Sequence, residues 1–278
     1  MRGAPCRVLA LVLALAAFSA QAGGGQGSFN TLLDVVKGVA QSQQVASMGE
    51  ADEIAAGREI AARTLGTYPL VKDGGLQRYL NRVGTWVALQ SSRPGLPWRF
   101  AAVESAQINA FAVPGGVVLV TRGMLGLIAN EAELACVLGH EVGHVVRKHH
   151  LALFQKELLL KTGSAAVSAQ TGMDETKKLL AAQGSELFTR ALDRDSERDA
   201  DADGVLLAAR AGYDPASCRA FMQRMAEQKQ DVGALAALYK THPRPADRLA
   251  DIAGALARLE GMPAEGGIRP ALEYKKRR

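Results

Sequence analysis

The sequence predicts a mostly α-helical domain of the α+β class, with a small antiparallel sheet and a functional helix that carries the motif H-E-x-x-H. The 278 residues are 48% hydrophobic and 22% charged, a globular composition with ample apolar material for a core. Strand-like alternation is confined to about residues 98–121, and helical periodicity dominates after Gly123. We therefore expect one domain over 50–260, without internal repeats or a second core.

The elements before residue 123 follow from periodicity and from residues that break helices. A helix is predicted over 50–70, and a second helix begins after Asp73, whose side chain is typical of an N-cap. Residues 93–97, Arg-Pro-Gly-Leu-Pro, interrupt the helical pattern. Strands are predicted at 98–103, 108–113 and 117–121, the last two joined by a Pro-Gly-Gly turn.

The remaining chain is predicted to be helical, and one of its helices has two unusual features. Helices are predicted at 130–150, 151–162, 174–192, 195–211, 215–229 and 245–259. At the start of the first, Asn130 and Glu133 have the spacing of a capping box. Gly139 and Gly143 each cost about 0.8–1 kcal/mol relative to Ala inside a helix. Their presence indicates that a strand or a ligand packs against that face.

The overall charge argues against a nucleic-acid partner. The chain has 33 basic and 28 acidic residues, a formal net charge of +5, and few aromatic side chains (7 Phe, 5 Tyr and 2 Trp). No segment combines a dense basic face with aromatic platforms for base stacking. The sequence therefore predicts no nucleic-acid binding.

Residues 1–22 are predicted to be a cleaved signal peptide. Arg2 and Arg7 flank the start, an apolar run of 11 residues follows at 8–18, and Ala-Gln-Ala at 20–22 suits a signal peptidase. As a helix this run spans about 16 Å, about half of a hydrocarbon core, so an uncleaved anchor is the less favoured alternative. We expect export to a bacterial periplasm, with residues 23–49 as a flexible leader.

Two cysteines, Cys136 and Cys218, remain after cleavage, in a compartment where disulfides persist. They allow one bridge, but the sequence does not place them within bonding distance. Two buried, unpaired thiols are the interpretation that the sequence favours.

The motif on the helix at 130–150 indicates a metal site. His140 and His144 are four residues apart, so their imidazoles lie on one helical face and can converge on one ion. Glu141 is rotated by about 100° and can reach a water molecule on that ion. His149 and His150 follow too closely to complete the site, and we expect both to be solvated.

A third protein ligand is expected from another element, because catalytic zinc sites have three protein ligands and one open position. The acidic segment 193–204 is the best candidate. Read as a helix, it places Glu197 and Asp201 on one face, with Glu197 as ligand and Asp201 accepting a hydrogen bond from a ligand's ring. The alternative is a solvated acidic face paired with Arg194 and Arg198.

Taken in order, these motifs resemble the zinc metalloendopeptidases (gluzincins) that include HtpX, the CAAX prenyl endopeptidases and the periplasmic BepA-type proteases. The resemblance covers about residues 50–252. It rests on Gly57-Arg58-Glu59, the helix with Tyr79, Asn-Ala-Phe-Ala-Val-Pro-Gly-Gly at 109–116, Thr121-Arg122-Gly123, the H-E-x-x-H motif, Glu197-x-x-x-Asp201, and Thr241-His242-Pro243 with Arg248. It implies a zinc metallopeptidase domain over 50–260.

The resemblance also implies roles for the metal site. His140, His144 and Glu197 would be the ligands of one Zn²⁺ per chain, Glu141 the general base, and Asp201 the partner behind a ligand.

Three further parts of the site are implied by the same resemblance. Asn109, Ala110, Phe111 and Ala112 would form a strand that pairs with extended substrate through backbone groups. His242 would lie near the metal, steadying the transition state or capping the ion at rest; the alternative is a loop residue before proline. Arg248 would hold a carboxylate or that loop.

One departure favours the periplasmic branch over the membrane-embedded ones. Residues 151–189 are repeatedly charged and contain no apolar stretch near 20 residues. Within them, 161–184 is a candidate lid. The basic tail, 261–278, is compatible with contact to anionic lipid, although a solvated terminus is the default explanation.

The predicted function is that of an exported zinc-dependent metalloendopeptidase acting on misfolded or envelope proteins. The expected partners are unfolded or extended polypeptides, outer-membrane assembly machinery and, peripherally, the membrane. Two alternatives stay open: a zinc-stabilised chaperone or assembly factor with little proteolysis, and a zinc hydrolase of cell-wall amides. Glu141 favours the protease, because a chaperone needs no general base.

Overall fold

The computed structural model describes residues 38–161, 172–187, 191–227 and 232–260. The predicted signal peptide at 1–22 and the basic tail at 261–278 lie outside these ranges. The chain divides into two compact units. One contains the described residues of Met1–Gly49 and Leu151–Leu180, and the other contains those of Glu50–His150 and Ala181–Arg278.

From residue 50 onwards, the described helices have the following bounds. They are α1 (Glu50–Thr67), α2 (Gly74–Ala88), α3 (Arg122–Leu127), α4 (Glu131–Val146), α5 (His149–Lys161), α6 (Met173–Leu187), α7 (Arg194–Arg210), α8 (Ala216–Glu227), α9 (Val232–Thr241) and α10 (Pro245–Glu260). The strands are β1 (Arg99–Val103), β2 (Ala110–Val113) and β3 (Val117–Thr121). The predicted fold class, mostly helical with one small sheet, is confirmed.

The first unit is helical where it is described. Residues 38–46 form a helix, although the sequence predicted a flexible leader over the whole of 23–49. In the same unit, the Thr176 hydroxyl of α6 donates a hydrogen bond to Gln44 Oε1 at 2.5 Å. Among the described residues, no helix combines the length and apolar character needed to cross a membrane.

Helix caps in the second unit follow the sequence prediction closely. The Asp73 side chain accepts from the backbone N–H groups of Gly75 and Leu76 at the start of α2. Asn130 accepts from the N–H of Glu133 at 2.9 Å, and Glu133 accepts from the N–H of Ala129 at 2.8 Å. The reciprocal pair therefore forms, one residue displaced from an ideal capping box.

Besides the helix at 38–46, two helices, α3 and α9, are absent from the prediction. The six residues of α3 include two glycines, which disfavour a helix. The sequence of α9, Val-Gly-Ala-Leu-Ala-Ala-Leu-Tyr-Lys-Thr, is apolar over most of its length, so it lacks the alternation between apolar and polar faces that identifies an amphipathic helix.

The sheet has the strand order β1-β3-β2 and is mixed rather than antiparallel throughout. β2 and β3 form the predicted antiparallel hairpin, whereas β1 pairs with β3 in parallel. The predicted sheet is corrected because β3 lies between β1 and β2. β2 runs opposite to β1, and the hairpin reverses the chain direction again, so β3 runs parallel to β1. As a result β2 is an edge strand.

The sheet lies between two apolar clusters. Ala110 and Ala112 of β2 belong to the main core, which the sheet shares with α2, α4, α7 and α8. Phe111 points the other way, into a small cluster with Val103 and Leu119. This alternation is the period-2 pattern of a strand that is buried on both faces.

A disulfide between Cys136 and Cys218 links α4 to α8. The preference for unpaired thiols is therefore wrong. The two helices pack together so closely that the Cα atoms of Cys136 and Cys218 are 5.3 Å apart, within the range of a disulfide. The two cysteines are 82 residues apart in the sequence, so no local sequence pattern reveals that they are close in space.

Removal of this disulfide is expected to destabilise the domain. A crosslink over so long a loop restricts the unfolded chain, so the double variant C136A/C218A should lose about 2–5 kcal/mol in the free energy of unfolding. Urea unfolding of the oxidised proteins measures this loss. Reductant should lower the midpoint of the wild type and leave that of the variant unchanged, and coincident curves for the two oxidised proteins would contradict the prediction.

Candidate active site

The close crossing of α4 and α7 brings the two halves of the site together. A Cβ atom on Gly139 would lie 3.0 Å from the carbonyl oxygen of Gly204, and one on Gly143 would lie 2.9 Å from Asp203 Cβ. The glycines of α4 therefore accommodate a second helix, and not the strand or ligand that the sequence suggested. This crossing is what carries the acidic segment of α7 to the histidines.

The carboxylates of α7 divide into two groups. Asp199 and Asp203 bind Arg147 at the C-terminal end of α4, with closest distances of 3.0 and 2.6 Å. Glu197 and Asp201 are buried and face α4. The solvated acidic face is therefore real, but it is a different face from the one in the site.

Four side chains converge in the second unit. His140 and His144 of α4, Glu197 of α7 and His242, which follows α9, each offer one atom, and these atoms lie within 4.8 Å of one another. The two imidazole Nε2 atoms are 3.0 Å apart. The Glu197 oxygens lie 3.5 Å from His144 Nε2 and 3.7 Å from His140 Nε2.

This cluster fits a tetrahedral transition-metal ion. With metal–ligand bonds of about 2.0–2.1 Å, ligand atoms in a tetrahedron are about 3.3–3.4 Å apart. The distances of 3.0, 3.5 and 3.7 Å bracket that separation. Imidazole nitrogen and carboxylate oxygen are also donors that suit such ions. His242 Nδ1 lies 2.9 Å from the Glu197 carboxylate and is the fourth member of the set.

Asp201 lies behind His140. Its Oδ1 is 3.1 Å from His140 Nδ1, and its carboxylate also accepts from the Arg248 guanidinium, at 2.9 Å from Nε. Burial alone would raise the pKa of Asp201, but Arg248 outweighs it and holds this pKa well below its usual value. If His140 binds an ion through Nε2, its Nδ1 carries the proton, and the ionised Asp201 carboxylate accepts a hydrogen bond from that Nδ1.

His149 plays the corresponding part for His144. The two Nδ1 atoms are 2.8 Å apart, and His149 is 8% exposed. If His144 binds an ion through Nε2, its Nδ1 carries the proton and His149 accepts it. The expectation of a solvated His149 is wrong, because Lys148 adopts a φ of 59° and turns the chain so that His149, at the start of α5, returns to His144.

Glu141 is buried beside the cluster, and it lines a cavity that His140, His242 and Arg248 also line. Burial raises the pKa of Glu141 and makes its carboxylate a stronger proton acceptor. Glu197 behaves in the opposite way. Burial would raise its pKa, but the charges of His242 and His140 and the hydrogen bond from His242 lower it to about 2.

Comparison with known proteins agrees with this geometry. Residues 75–256 match the model of peptidase family M48. The chain is 32% identical over 211 residues to the beta-barrel assembly-enhancing protease of Yersinia pestis, and 30% identical over 198 residues to the protein of that name from Escherichia coli K12. It is 34% identical over 157 residues to the mitochondrial metalloendopeptidase OMA1 of Arabidopsis thaliana.

The chain belongs to peptidase family M48. The predicted family and the predicted metalloprotease class are thereby confirmed. The matches cover 72%, 67% and 56% of this chain, but only 43%, 40% and 31% of the three relatives. This M48 chain therefore corresponds to less than half of each of them.

The remaining sequence-predicted residues of the M48 domain lie on β2 and immediately before it. Ala110 lines the cavity beside Glu141, whereas Phe111 faces the opposite side of the sheet and does not reach the site. Asn109 is 9% exposed, and its Oδ1 is a buried oxygen without a hydrogen-bond partner among the described residues. Such an acceptor is costly to leave unpaired.

Sequence reasoning missed three contributors to the site: His149, the disulfide and the apolar side chains of α8. The sequence shows the two adjacent histidines at 149 and 150, but it does not show the turn at Lys148 that directs the His149 side chain toward His144. The α8 residues carried no signal, because methionine and phenylalanine at helical spacing are indistinguishable from ordinary core.

Proposed function

We propose that this chain is a zinc-dependent endopeptidase that hydrolyses polypeptides bound in extended conformation. The observation that supports it most directly is the buried set of His140, His144 and Glu197 with a separate carboxylate, Glu141, beside it. A chain that only binds proteins has no use for that carboxylate, whereas metal-assisted hydrolysis requires a proton acceptor at this place.

Each residue then has a defined task. His140, His144 and Glu197 would hold the ion, and Asp201 and His149 fix the orientation of the two rings. Zinc held by these residues would supply the activation of water and the polarisation of the substrate carbonyl. Glu141 accepts the proton of the attacking water and delivers it to the leaving amine. His242 and Arg248 also line the cavity, and their positive charge would stabilise negative charge that develops there.

The substrate would add a strand to the sheet. β2 is an edge strand beside the cavity, so its outer backbone groups suit pairing with an extended chain. Because mainly backbone groups are involved, this contact is expected to select extended, unfolded polypeptides rather than a particular sequence.

The proposed setting is the periplasm, after cleavage of residues 1–22, with misfolded or envelope proteins as substrates. Two observations support this placement. The disulfide suits an oxidising compartment, and two relatives bear the name beta-barrel assembly-enhancing protease. Contact with outer-membrane assembly machinery belongs to the same proposal.

A casein digestion tests the activity. The mature protein, loaded with one equivalent of Zn²⁺, should cleave casein, and treatment with 1,10-phenanthroline followed by removal of the chelator should abolish cleavage. Re-addition of Zn²⁺ should restore it, whereas Mg²⁺ should not, because nitrogen ligands favour transition metals. Cleavage that is insensitive to the chelator would refute the metal mechanism.

The same assay identifies the rival function. A zinc-stabilised chaperone would bind reduced, unfolded casein and suppress its aggregation without producing fragments. β2 alone would suffice for such binding, which is why this alternative is retained. Suppression of aggregation by a zinc-loaded protein that leaves casein intact would establish it.

A further inference from the structure

Glu53 of α1 is a fully buried carboxylate that has no part in the proposed mechanism. The Arg93 guanidinium donates one hydrogen bond to each of its two oxygens, both at 3.0 Å. The backbone N–H of Gly115, in the turn between β2 and β3, donates to Oε1 at 3.1 Å. The Lys148 ammonium lies 3.2 Å from Oε2. An ionised carboxylate has about four lone-pair sites, so these four donors saturate Glu53.

The carboxylate of Glu53 is held in one position relative to α4. Its bidentate pair with Arg93 fixes the plane of the carboxylate as well as its distance. The same guanidinium donates to the carbonyl of Val145, in the last turn of α4, at 3.4 Å. α1 also lies directly against the hairpin turn, because a Cβ atom on Gly57 would come within 1.8 Å of the Pro114 carbonyl oxygen. Glu53 is therefore a fixed anchor beside the C-terminal end of α4.

Lys148 follows the C-cap of α4 and has an unfavourable backbone conformation. Its φ of 59° lies in the left-handed region, which residues other than glycine adopt about 5–30-fold less readily. Helices commonly carry glycine at this position for that reason. The ion pair joins Lys148 to a carboxylate that is only 1% exposed, so water and salt screen it less than a surface pair. This contact can therefore offset the cost of the turn.

The turn at Lys148 decides where His149 lies. His149 is the next residue, and its Nδ1 is 2.8 Å from that of His144. With a negative φ at Lys148, the chain would leave α4 in another direction and His149 would not return to His144. A carboxylate of α1 is thus connected to a proposed metal ligand through one ion pair, one turn and one hydrogen bond.

We infer that Glu53 is a positioning residue of the metal site: it holds the Lys148 turn and thereby keeps His149 against His144. The effect on the metal rests on the proposed function, in which His144 binds zinc, whereas the effect on the turn does not. Removal of a residue behind a ligand typically lowers metal affinity by about 10–100-fold. Loss of Glu53 destabilises the turn without removing His149, so we expect the smaller loss of about 5–30-fold.

The first measurement needs no metal. The full chain, stripped of metal, is treated with diethyl pyrocarbonate, and the rate of carbethoxylation at His149 is measured by mass spectrometry. This buried ring should react slowly in the wild type. In Glu53→Gln and Lys148→Ala the turn loses its anchor, so His149 should react about 5–30-fold faster. Lys148→Gly loses the same anchor, but glycine adopts a positive φ without steric cost, so His149 should stay protected.

The double variant E53Q/K148G separates the turn from general stability. If Glu53 acts through the turn, glycine restores the protection of His149 although the carboxylate is missing. If the double variant reacts as fast as Glu53→Gln, the inference is wrong. Should Glu53→Gln fail to fold, the two single variants of Lys148 decide, and equal rates in them would overturn the inference. The matched control is Glu59→Gln, which removes an exposed carboxylate of α1 that pairs with Arg63 and should react as the wild type does.

The second measurement extends the test to the metal. Competition with a fluorescent chelator should show that Glu53→Gln and Lys148→Ala bind Zn²⁺ about 5–30-fold more weakly than the wild type. Lys148→Gly and E53Q/K148G should bind it as the wild type does. If all variants bind zinc with equal affinity, the inference is overturned and the proposed function stands. If the wild type binds no zinc while His149 reacts as expected, the proposed function fails and the role of Glu53 in the turn stands.

Discussion

Replacement of Glu141 by glutamine should lower kcat/KM for peptide cleavage by about 10²–10⁴-fold while the protein keeps its zinc. The amide has nearly the shape of the carboxylate but cannot accept the proton of the attacking water. Because Glu141 lines the cavity without belonging to the four-residue cluster, its loss removes no metal-binding atom. Peptide cleavage and zinc content, measured on the same preparation, check both halves of the expectation.

The matched control is Glu131→Gln, on the same helix. Glu131 accepts hydrogen bonds from the hydroxyls of Tyr79 and Tyr213 at the other end of α4, so the control removes an equal charge away from the site. It should retain wild-type activity. Full activity in zinc-loaded Glu141→Gln would show that another group accepts the proton, and loss of zinc from that variant would make the carboxylate a metal-binding group instead.

The parts of this structure that the sequence predicts well are those encoded by local chemistry. Asp73 and Asn130 start helices because a side-chain oxygen placed at the N-cap accepts backbone N–H groups within three residues. His140 and His144 share a face because a helix has 3.6 residues per turn. These relations depend on spacing alone, so they can be read without knowing the tertiary structure.

Contacts between distant segments required more than spacing. The family resemblance implied that Glu197 joins the histidines, and the structure brings it within 3.7 Å of His140. The means of approach, a helix crossing at Gly139 and Gly204, could not be inferred, because a glycine in a helix shows that something is close without showing what. The Cys136–Cys218 disulfide was missed for the same reason.

His149 shows how one backbone angle decides whether a side chain faces solvent or the site. Arg147 and Lys148 make the surrounding sequence polar, which indicated a solvated helix end. The positive φ of Lys148 instead ends α4 and begins α5 with His149 facing inward. Nothing in the side chain of lysine favours that conformation, so the turn results from the packing around it rather than from local preference.

Replacement of Glu197 by alanine is expected to have the second large effect, the loss of bound zinc. Its carboxylate approaches both histidine Nε2 atoms and is 2% exposed, so water cannot readily take its place. The affinity for Zn²⁺ should therefore fall by more than the 10–100-fold typical of losing a residue behind a ligand. That smaller loss is expected for Asp201→Asn. Competition with a fluorescent chelator at buffered free Zn²⁺ measures all three affinities.

The control for this series is Asp199→Asn, which removes a half-exposed carboxylate of α7 that binds Arg147 and should leave the affinity for zinc unchanged. His242 provides the critical comparison, because its ring nitrogen lies in the same cluster and offers a substitute donor. If Glu197→Ala binds zinc as tightly as the wild type and only the double variant E197A/H242A loses it, His242 is the third protein ligand and the assignment of Glu197 is wrong. If Glu197→Ala alone loses zinc while His242→Ala retains it, three ligands suffice and one position remains for water and substrate.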